Sequence, residues 1–180
     1  MTTYIAILRG INVGGKRKIL MADLRQMFLN IGLVNPSTYI QSGNIFFQST
    51  DITSLIALST KIEEAIFNKY GFEVPVIVTT HQELKETIQS NTFFQQNIDI
   101  NQLHLTFLKE EPSADCQEKA ISYIDDALDD FIIKGKNVYL CCKGKYHQTK
   151  FGNTFFEKKL KVTATTRSWK TVLKLEELSK

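Results

Sequence analysis

The sequence predicts an α+β fold, and three patterns in the chain lead to that prediction. Short apolar runs of strand length alternate with longer segments in which apolar residues recur at helical spacing. Over residues 1–80 the order of these segments is strand, helix, strand, strand, helix, strand. A similar order begins again after residue 102. This order is that of the ferredoxin-like arrangement, in which helices cover one face of an antiparallel sheet with strands ordered 4-1-3-2.

The elements of the first half are predicted from local patterns. The first helix covers 21–31, where every third or fourth residue is apolar, and ends at Gly32. Ser42, Gly43 and Asn44 suit the tight turn of a hairpin. The predicted strands are 4–9, 38–41, 45–48 and 74–79, and the second helix is 55–66.

The second half is predicted to be a truncated ferredoxin-like half that is extended by C-terminal helices. Its predicted strands are 103–109, 131–133 and 138–142, and its helices lie at 120–128, around 155–160 and from Ser168 onward. Residues 81–102 are expected to contain a helix and the joining segment. The predicted organisation is therefore a half at 1–80 and a half at 81–180, packed as one compact unit.

Both faces of the first predicted sheet are largely apolar. In the first strand Tyr4, Ala6 and Leu8 lie on one face, and Ile5 and Ile7 lie on the other. One layer of helices covers only one face, so we expect the second half to pack against the free face. A homodimer that uses this face is the alternative.

Composition excludes several classes of protein. The chain has 180 residues, of which 43% are hydrophobic and 23% charged, and its net charge is +3. These values are typical of a globular chain rather than a disordered one. No apolar run approaches the roughly 18 residues of a membrane helix, and the run at 4–8 is too short for a signal peptide. We therefore expect a cytoplasmic protein that does not contact a membrane.

The cysteines and histidines do not predict a metal site. The three cysteines lack CxxC spacing, and the three histidines lie far apart in the sequence. Cys141 and Cys142 are adjacent on a predicted strand, so their side chains point to opposite faces of the sheet. We expect no metal, no cofactor and reduced thiols.

Charge is distributed unevenly along the chain. Residues 81–130 carry 3 basic and 11 acidic side chains, whereas residues 131–180 carry 12 basic and 3 acidic ones. The basic segment, with its interleaved aromatic residues, has the composition of a nucleic-acid-binding surface. Pairing of this segment with the acidic stretch, within the chain or across a dimer, is the favoured alternative.

The segment that joins the first strand to the first helix is rich in glycine and basic residues. Gly10 and Gly15-Lys16 have the GxxxxGK spacing of a phosphate loop, but Arg17 stands where that loop needs Ser or Thr to hold magnesium. An antiparallel sheet also differs from the parallel sheet of phosphate-loop NTPases. Glycine amides and basic side chains still favour an anion here. A plain connector with solvent-facing Lys and Arg is the alternative.

The predicted topology places this segment beside the hairpin turn. The first and second strands run in the same direction, so residues 9–18 and 39–44 are expected to line one cleft. Ser42 has no His or Asp near it in the sequence, which favours a turn role over a nucleophile. The candidate ligand-binding residues of this cleft are Arg9, Gly10, Asn12, Gly14, Gly15, Lys16, Lys18, Tyr39, Gln41, Ser42, Gly43 and Asn44.

A third polar segment leads into the last predicted helix. Its hydroxyl groups and the free amides of a helix start suit phosphate or carboxylate, so Thr165, Arg167 and Trp169 are further candidate ligand-binding residues. A plain N-cap explains Ser168 equally well. Trp169 is expected to anchor the core, with base stacking as the alternative.

Three motifs resemble one known family. The segments LRGINVGGK at 8–16, YIQSGN at 39–44 and TTRSWKTV at 165–172 are similar to those of the bacterial family called domain of unknown function 1697. The resemblance extends over essentially the whole chain. In that family the last motif usually has Asn where Ser168 stands, and both residues are good N-caps. The resemblance implies a cytosolic α+β protein with ferredoxin-like halves and no established activity.

These observations favour a protein that binds a phosphate-bearing or other anionic ligand in the cleft, with a nucleotide or nucleic acid as the leading ligand. One alternative is an enzyme that acts on a phosphorylated small molecule in the same cleft, for which Tyr39 and His147 are the only candidate bases. Another is an RNA-binding module that uses the sheet face, although the third strand lacks the motif of such modules. The sequence leaves open whether any reaction is catalysed.

Overall fold

The computed structural model describes residues 2–50, 54–125 and 128–180. It confirms the predicted mixture of helices and antiparallel sheets. The strands are β1 (Thr3–Leu8), β2 (Val34–Tyr39), β3 (Asn44–Gln48), β4 (Val76–Thr80), β5 (Leu103–Leu108), β6 (Asp130–Lys134), β7 (Asn137–Cys141) and β8 (Ala164–Ser168). The helices are α1 (Met21–Asn30), α2 (Leu55–Tyr70), α3 (His81–Gln89), α4 (Thr92–Gln95), α5 (Ala114–Ile121), α6 (Asn153–Leu160) and α7 (Trp169–Leu178).

The first sheet has the strand order β2-β3-β1-β4, and every neighbouring pair is antiparallel. Read from the opposite edge, this is the predicted order 4-1-3-2. β2 begins at Val34, earlier than predicted, and contains Pro36. Proline lacks the N–H that a central strand must donate, and the edge position of β2 explains why it is tolerated there.

Helices α1 and α2 cover one face of the first sheet. Leu24 and Phe28 of α1, and Ile62 and Ile66 of α2, are each one helical turn apart and are fully buried. This four-residue spacing gives each helix one apolar face. The two faces pack in one cluster with alternate residues of the strands, namely Ala6, Leu8, Ile45, Phe47, Val76 and Val78.

The second sheet has four strands in the order β6-β7-β5-β8, which repeats the order of the first sheet. The prediction of a truncated second half is thereby corrected, because β8 supplies the fourth strand by pairing with β5. The sequence of β8, ATTRS, has no apolar run, so its local pattern favours a loop. Pairing with β5 stabilises it as an edge strand, where the Thr106 and Thr166 hydroxyl oxygens lie 2.7 Å apart.

Helix α5 lies earlier in the chain than the predicted helix at 120–128. It begins after Ser113, whose hydroxyl accepts the Cys116 N–H at 3.3 Å, and it ends at Ile121. Leu128 is exposed, so the apolar spacing behind the prediction does not correspond to a buried face. Residues 126–127 of the predicted helix lie outside the described residues.

Contacts divide the chain into two compact units. The first comprises residues 1–85 and 175–180, and the second comprises residues 86–174. The boundary lies within α3, a few residues after the predicted one at residue 80. Packing of the two halves as one unit and formation of a homodimer stay predictions. In the described part of the chain no helix is both long and apolar enough to span a bilayer.

Candidate functional site

The basic loop, residues 9–18, contains a miniature hairpin. Val13 and Lys16 form an isolated antiparallel bridge, in which the Lys16 N–H donates to the Val13 carbonyl at 3.1 Å. Gly14 and Gly15 between them have φ of +58° and +72°. A type I′ turn requires such positive values at both central positions, which glycine adopts without strain. The two glycines predicted to cradle an anion therefore also have a structural role.

Asn12 ties the basic loop to the turn between β2 and β3. Its Nδ2 donates to the carbonyl oxygens of Gln41 at 2.9 Å and of Ile19 at 3.0 Å. Its Oδ1 accepts the Ile19 N–H at 2.9 Å. Both amide hydrogens are thus already bonded within the protein. Asn12, predicted to bind the ligand, is therefore a positioning residue that joins three backbone segments.

The hairpin turn, residues 40–43, packs directly against the end of β1. The Gly43 carbonyl accepts the Leu8 N–H at 2.8 Å. Gly43 has φ of +87°, and a Cβ at this position would lie 2.7 Å from Leu8 Cβ and 2.8 Å from Ile11 Cδ1. The basic loop and the hairpin turn are therefore neighbours, as the predicted strand directions require.

Asn44 closes the hairpin turn from inside. It is fully buried, and its Nδ2 donates to the Tyr39 carbonyl at 3.1 Å and to Ser42 Oγ at 3.2 Å. Acceptance of this bond gives the Ser42 hydroxyl a turn role. Gly43 and Asn44 are both buried and shape the turn, and the ligand contact assigned to them stays a prediction.

Four side chains of the basic loop are cationic. Lys16, Arg17 and Lys18 are exposed, and Arg9 is partly buried at the start of the loop. The Arg17 Nη1 atom lies 3.3 Å from the position that a Cβ on Gly10 would occupy. Residues 9–18 contain no Asp or Glu, so the loop carries a positive potential. Arg17 is absent from the predicted set, although its place between two lysines is a signal that could have found it.

The family described as protein of unknown function DUF1697 matches residues 1–139. The chain belongs to this family. The basic loop and the hairpin turn both lie within the DUF1697 match, whereas the third predicted motif at 165–172 lies beyond it.

A solved structure is also similar to this DUF1697 chain. SP0830, a conserved bacterial protein from Streptococcus pneumoniae, shares 26% sequence identity with it and aligns with a TM-score of 0.67 over 99% of both chains. No curated protein matches the chain.

Ile40 adopts an unusual backbone conformation at the hairpin turn of this DUF1697 protein. Its φ is +52°, in the left-handed region, and its side chain is 48% exposed. A β-branched residue is disfavoured there because its Cβ crowds the following carbonyl oxygen. Such strain is typical of functional sites, where the rest of the structure holds it in place.

We expect Ile40→Asn to raise the free energy of unfolding by about 1 kcal/mol, because asparagine tolerates left-handed φ far better than a β-branched residue. Urea denaturation followed by circular dichroism measures this change. Ile40→Val is the matched control, since it keeps the branched Cβ and should leave stability within about 0.5 kcal/mol. A loss of stability in Ile40→Asn would show that the isoleucine makes compensating contacts.

Two residues of the third predicted motif, Thr165 and Arg167, share one face of β8 in the second unit. Thr165 is fully buried, and its Oγ1 has no hydrogen-bond partner among the described residues. Arg167 is partly buried, and its Nη1 donates to the Thr166 carbonyl at 3.1 Å. Burial lowers the pKa of Arg167 to about 10, against a smaller opposing effect of Tyr146, so the side chain stays cationic at neutral pH.

Trp169 is a core residue in this structure. Its side chain is fully buried, with ring centroids 5.5 Å from Phe94 and 6.5 Å from Tyr139. Its burial therefore supports the predicted core role. Trp169 has no exposed ring face on which a base could stack.

Part of the basic C-terminal segment faces an acidic residue within the same unit. A surface cavity of about 420 Å³ is lined by Lys143, Lys145, Lys150 and Asp129, among others. Asp129 Oδ1 accepts the Lys143 N–H at 2.9 Å. This bond uses the Lys143 backbone rather than its charge, so pairing of the basic segment with the acidic stretch and a nucleic-acid surface both stay predictions.

The groups considered for catalysis lie outside the basic loop. His147 is exposed on the short 3-10 helix Tyr146–Gln148, and Tyr39 is partly buried at the end of β2. Burial lowers the pKa of His104, which stacks on Tyr146 with ring centroids 4.8 Å apart. Within the described residues no group of three His, Cys, Asp or Glu side chains could hold a metal ion.

One Ser–His–carboxylate arrangement is present that sequence reasoning missed. His81 Nδ1 lies 2.9 Å from Ser179 Oγ, and His81 Nε2 lies 3.8 Å from Glu176 Oε1. The Ser179 hydroxyl has one hydrogen and two acceptors within reach, the Glu176 carbonyl at 3.0 Å and His81 Nδ1, so the direction of the His81–Ser179 bond depends on the histidine tautomer. A general base requires the tautomer in which Nδ1 accepts the serine proton. Ser179 is also buried, and the group links α3 to the end of α7.

Proposed function

We propose that this DUF1697 protein binds a phosphate-bearing or other anionic ligand at the basic loop and the adjoining hairpin turn, with a nucleotide or nucleic acid as the leading ligand. The observation that carries this proposal is the concentration of basic side chains, without any acidic one, on a loop of defined shape. These side chains are Arg9, Lys16, Arg17 and Lys18.

The loop is held in shape before any ligand arrives. Asn12 fixes its middle to Ile19 and Gln41, and the type I′ turn fixes its tip. A loop that is already ordered loses little conformational entropy on binding, so more of the interaction energy appears as affinity.

Each basic residue can make a chemically distinct contact with an anion. The planar guanidinium of Arg9 matches two oxygens of a phosphate, and Lys16 at the loop tip supplies a compact charge. The exposed amides of Gly14 and Gly15 lie beside Lys16 in the same turn. Together these groups can surround a phosphate with hydrogen-bond donors, and the Arg9 and Lys16 side chains among them also carry positive charge.

The test is a binding measurement with nucleotides, sugar phosphates, short RNA and short DNA, followed by the same measurement on Arg9→Ala. We expect the variant to raise the dissociation constant of the bound ligand about tenfold or more, because a hydrogen bond to a charged group contributes about 1.5–3 kcal/mol. Calorimetry gives the constant directly. At 100 times its dissociation constant a ligand should also stabilise the protein by about 2.7 kcal/mol.

Lys85→Ala is the matched control for Arg9→Ala. Lys85 is exposed on α3 in the same unit, and its removal subtracts the same charge far along the chain from the loop. Equal ligand affinities of the unmodified protein, Arg9→Ala and Lys85→Ala would show that Arg9 does not contact the ligand. Failure of every ligand in the set to bind the unmodified protein would overturn the proposal.

The two other functions considered from the sequence stay predictions. An enzyme in the same cleft needs a general base, and turnover of phosphate esters would reveal one. RNA binding on the sheet face would show as affinity for single strands that falls steeply with salt and is unchanged in Arg9→Ala.

A further inference from the structure

Three exposed aliphatic residues lie in the basic loop, just after it and in the adjoining hairpin turn of the first unit. The exposed fractions of their side chains are 64% for Val13, 72% for Leu20 and 48% for Ile40. The exposed part of each side chain stays in water and contributes no burial free energy to the folded protein. Clustered exposed apolar groups beside polar ones commonly mark binding surfaces.

The hydrogen bonds of Asn12 bring the backbone at these three positions close to one junction. Asn12 itself, Ile19 and Gln41 are joined by its amide group. In the sequence, Val13 follows Asn12, Leu20 follows Ile19, and Ile40 precedes Gln41. Each exposed aliphatic side chain is therefore one residue from the same hydrogen-bonded junction.

Backbone geometry adds an independent observation. Ile40 keeps a left-handed φ of +52°, although a β-branched side chain is strained there and an asparagine or glycine would not be. Leu20 stands at the N-cap of α1, where it makes no side-chain capping bond and a serine would make one. At both positions an aliphatic residue is present where a polar residue would stabilise the fold better.

We infer that the ligand of this site combines phosphate with a flat apolar group, as a nucleotide does, and that Val13, Leu20 and Ile40 form the surface for its base. This inference rests on the proposed function and narrows it, because inorganic phosphates and sugar phosphates lack the apolar part. The basic side chains contact the phosphates, while the aliphatic side chains cover one face of the base. Van der Waals contact of aliphatic groups with the face of a base does not read its edge, so such contact tolerates different bases.

The decisive experiment compares two probes that share a triphosphate. ATP and inorganic tripolyphosphate are titrated by calorimetry into the unmodified protein and into a Val13→Ser, Leu20→Ser, Ile40→Asn variant. We expect ATP to bind the unmodified protein at least tenfold more tightly than tripolyphosphate. In the variant the ratio should fall to about one, while the affinity for tripolyphosphate is unchanged.

The variant is chosen so that unfolding cannot imitate the result. All three side chains are exposed, and two of the substitutions are expected to stabilise the protein. Arg9→Ala gives the opposite pattern, with both probes weakened by the same factor. A circular dichroism melt of each variant verifies the fold.

The possible failures are distinguishable. Equal binding of ATP and tripolyphosphate by the unmodified protein would overturn the inference and leave the anion site in place. An ATP-to-tripolyphosphate affinity ratio that is the same in the variant and the unmodified protein would have the same meaning. Binding of neither probe would overturn both proposals. Vesicles of phosphatidylserine and phosphatidylcholine are the third probe, and vesicle binding that the variant abolishes would replace the nucleotide with a lipid surface.

Discussion

Gly43→Ala is expected to lower the free energy of unfolding by about 3 kcal/mol, the sum of a backbone effect and a steric effect. The φ of +87° costs a residue with a Cβ roughly 1–2 kcal/mol. The added methyl group would lie 2.7 Å from Leu8 Cβ, so β1 or the hairpin turn must shift. Overpacking of this kind typically costs about 1–3 kcal/mol. Urea denaturation followed by circular dichroism measures the loss.

Gly14→Ala separates the two effects. Gly14 also has a positive φ, of +58°, but apart from its own chain neighbours no atom of the described residues lies within 4 Å of the position of an added Cβ. We expect Gly14→Ala to lower the free energy of unfolding by the backbone contribution alone, about 1 kcal/mol. Equal losses in the two variants would show that the packing of Gly43 on β1 is not restrictive.

Trp169→Ala is expected to destabilise the protein by about 3–5 kcal/mol, the usual cost of deleting a large buried aromatic side chain. Trp169 is fully buried between α4 and β7, with Phe94 and Tyr139 as aromatic neighbours. Its removal leaves a cavity that these side chains can fill only in part. Trp169 is the single tryptophan of the chain, so unfolding must be followed by circular dichroism rather than by tryptophan fluorescence.

Trp169→Phe tests whether the indole acts by packing alone. Nε1 of Trp169 has no hydrogen-bond partner among the described residues, so phenylalanine removes volume without breaking a bond. We expect a loss of less than about 1.5 kcal/mol. If Trp169→Phe were as destabilising as Trp169→Ala, the indole N–H would have a role that packing does not explain.

Periodic apolar patterns were sufficient to predict most of the fold. The four-residue spacing in α1 and α2 and the short runs of β1 and β3 are local features, and the order of the elements then allows few sheet topologies. Strand direction alone predicted that the basic loop and the hairpin turn are neighbours. β8 was missed because the pairing that stabilises it comes from β5, some 60 residues earlier in the chain.

The neighbouring positions of the basic loop and the hairpin turn were predicted correctly, and ligand binding at these residues stays a prediction. The basic residues of the loop could be identified from the sequence, because charge belongs to the residue itself. The two glycines at the loop tip have the Gly-Gly signal of a type I′ turn, which the comparison with a phosphate loop obscured. Asn12 and Asn44 were assigned to the ligand, and the structure shows their amides bonded to backbone carbonyls.

The difference between these outcomes has one physical cause. Helical spacing, strand alternation and charge arise from neighbouring residues, so they can be read before the chain folds. The partner of a polar side chain is a group that folding brings to it from elsewhere. Asn12 meets Gln41, 29 residues away, and His81 meets Ser179, 98 residues away. Which polar groups are satisfied within the protein, and which stay available to a ligand, is therefore a property of the folded chain.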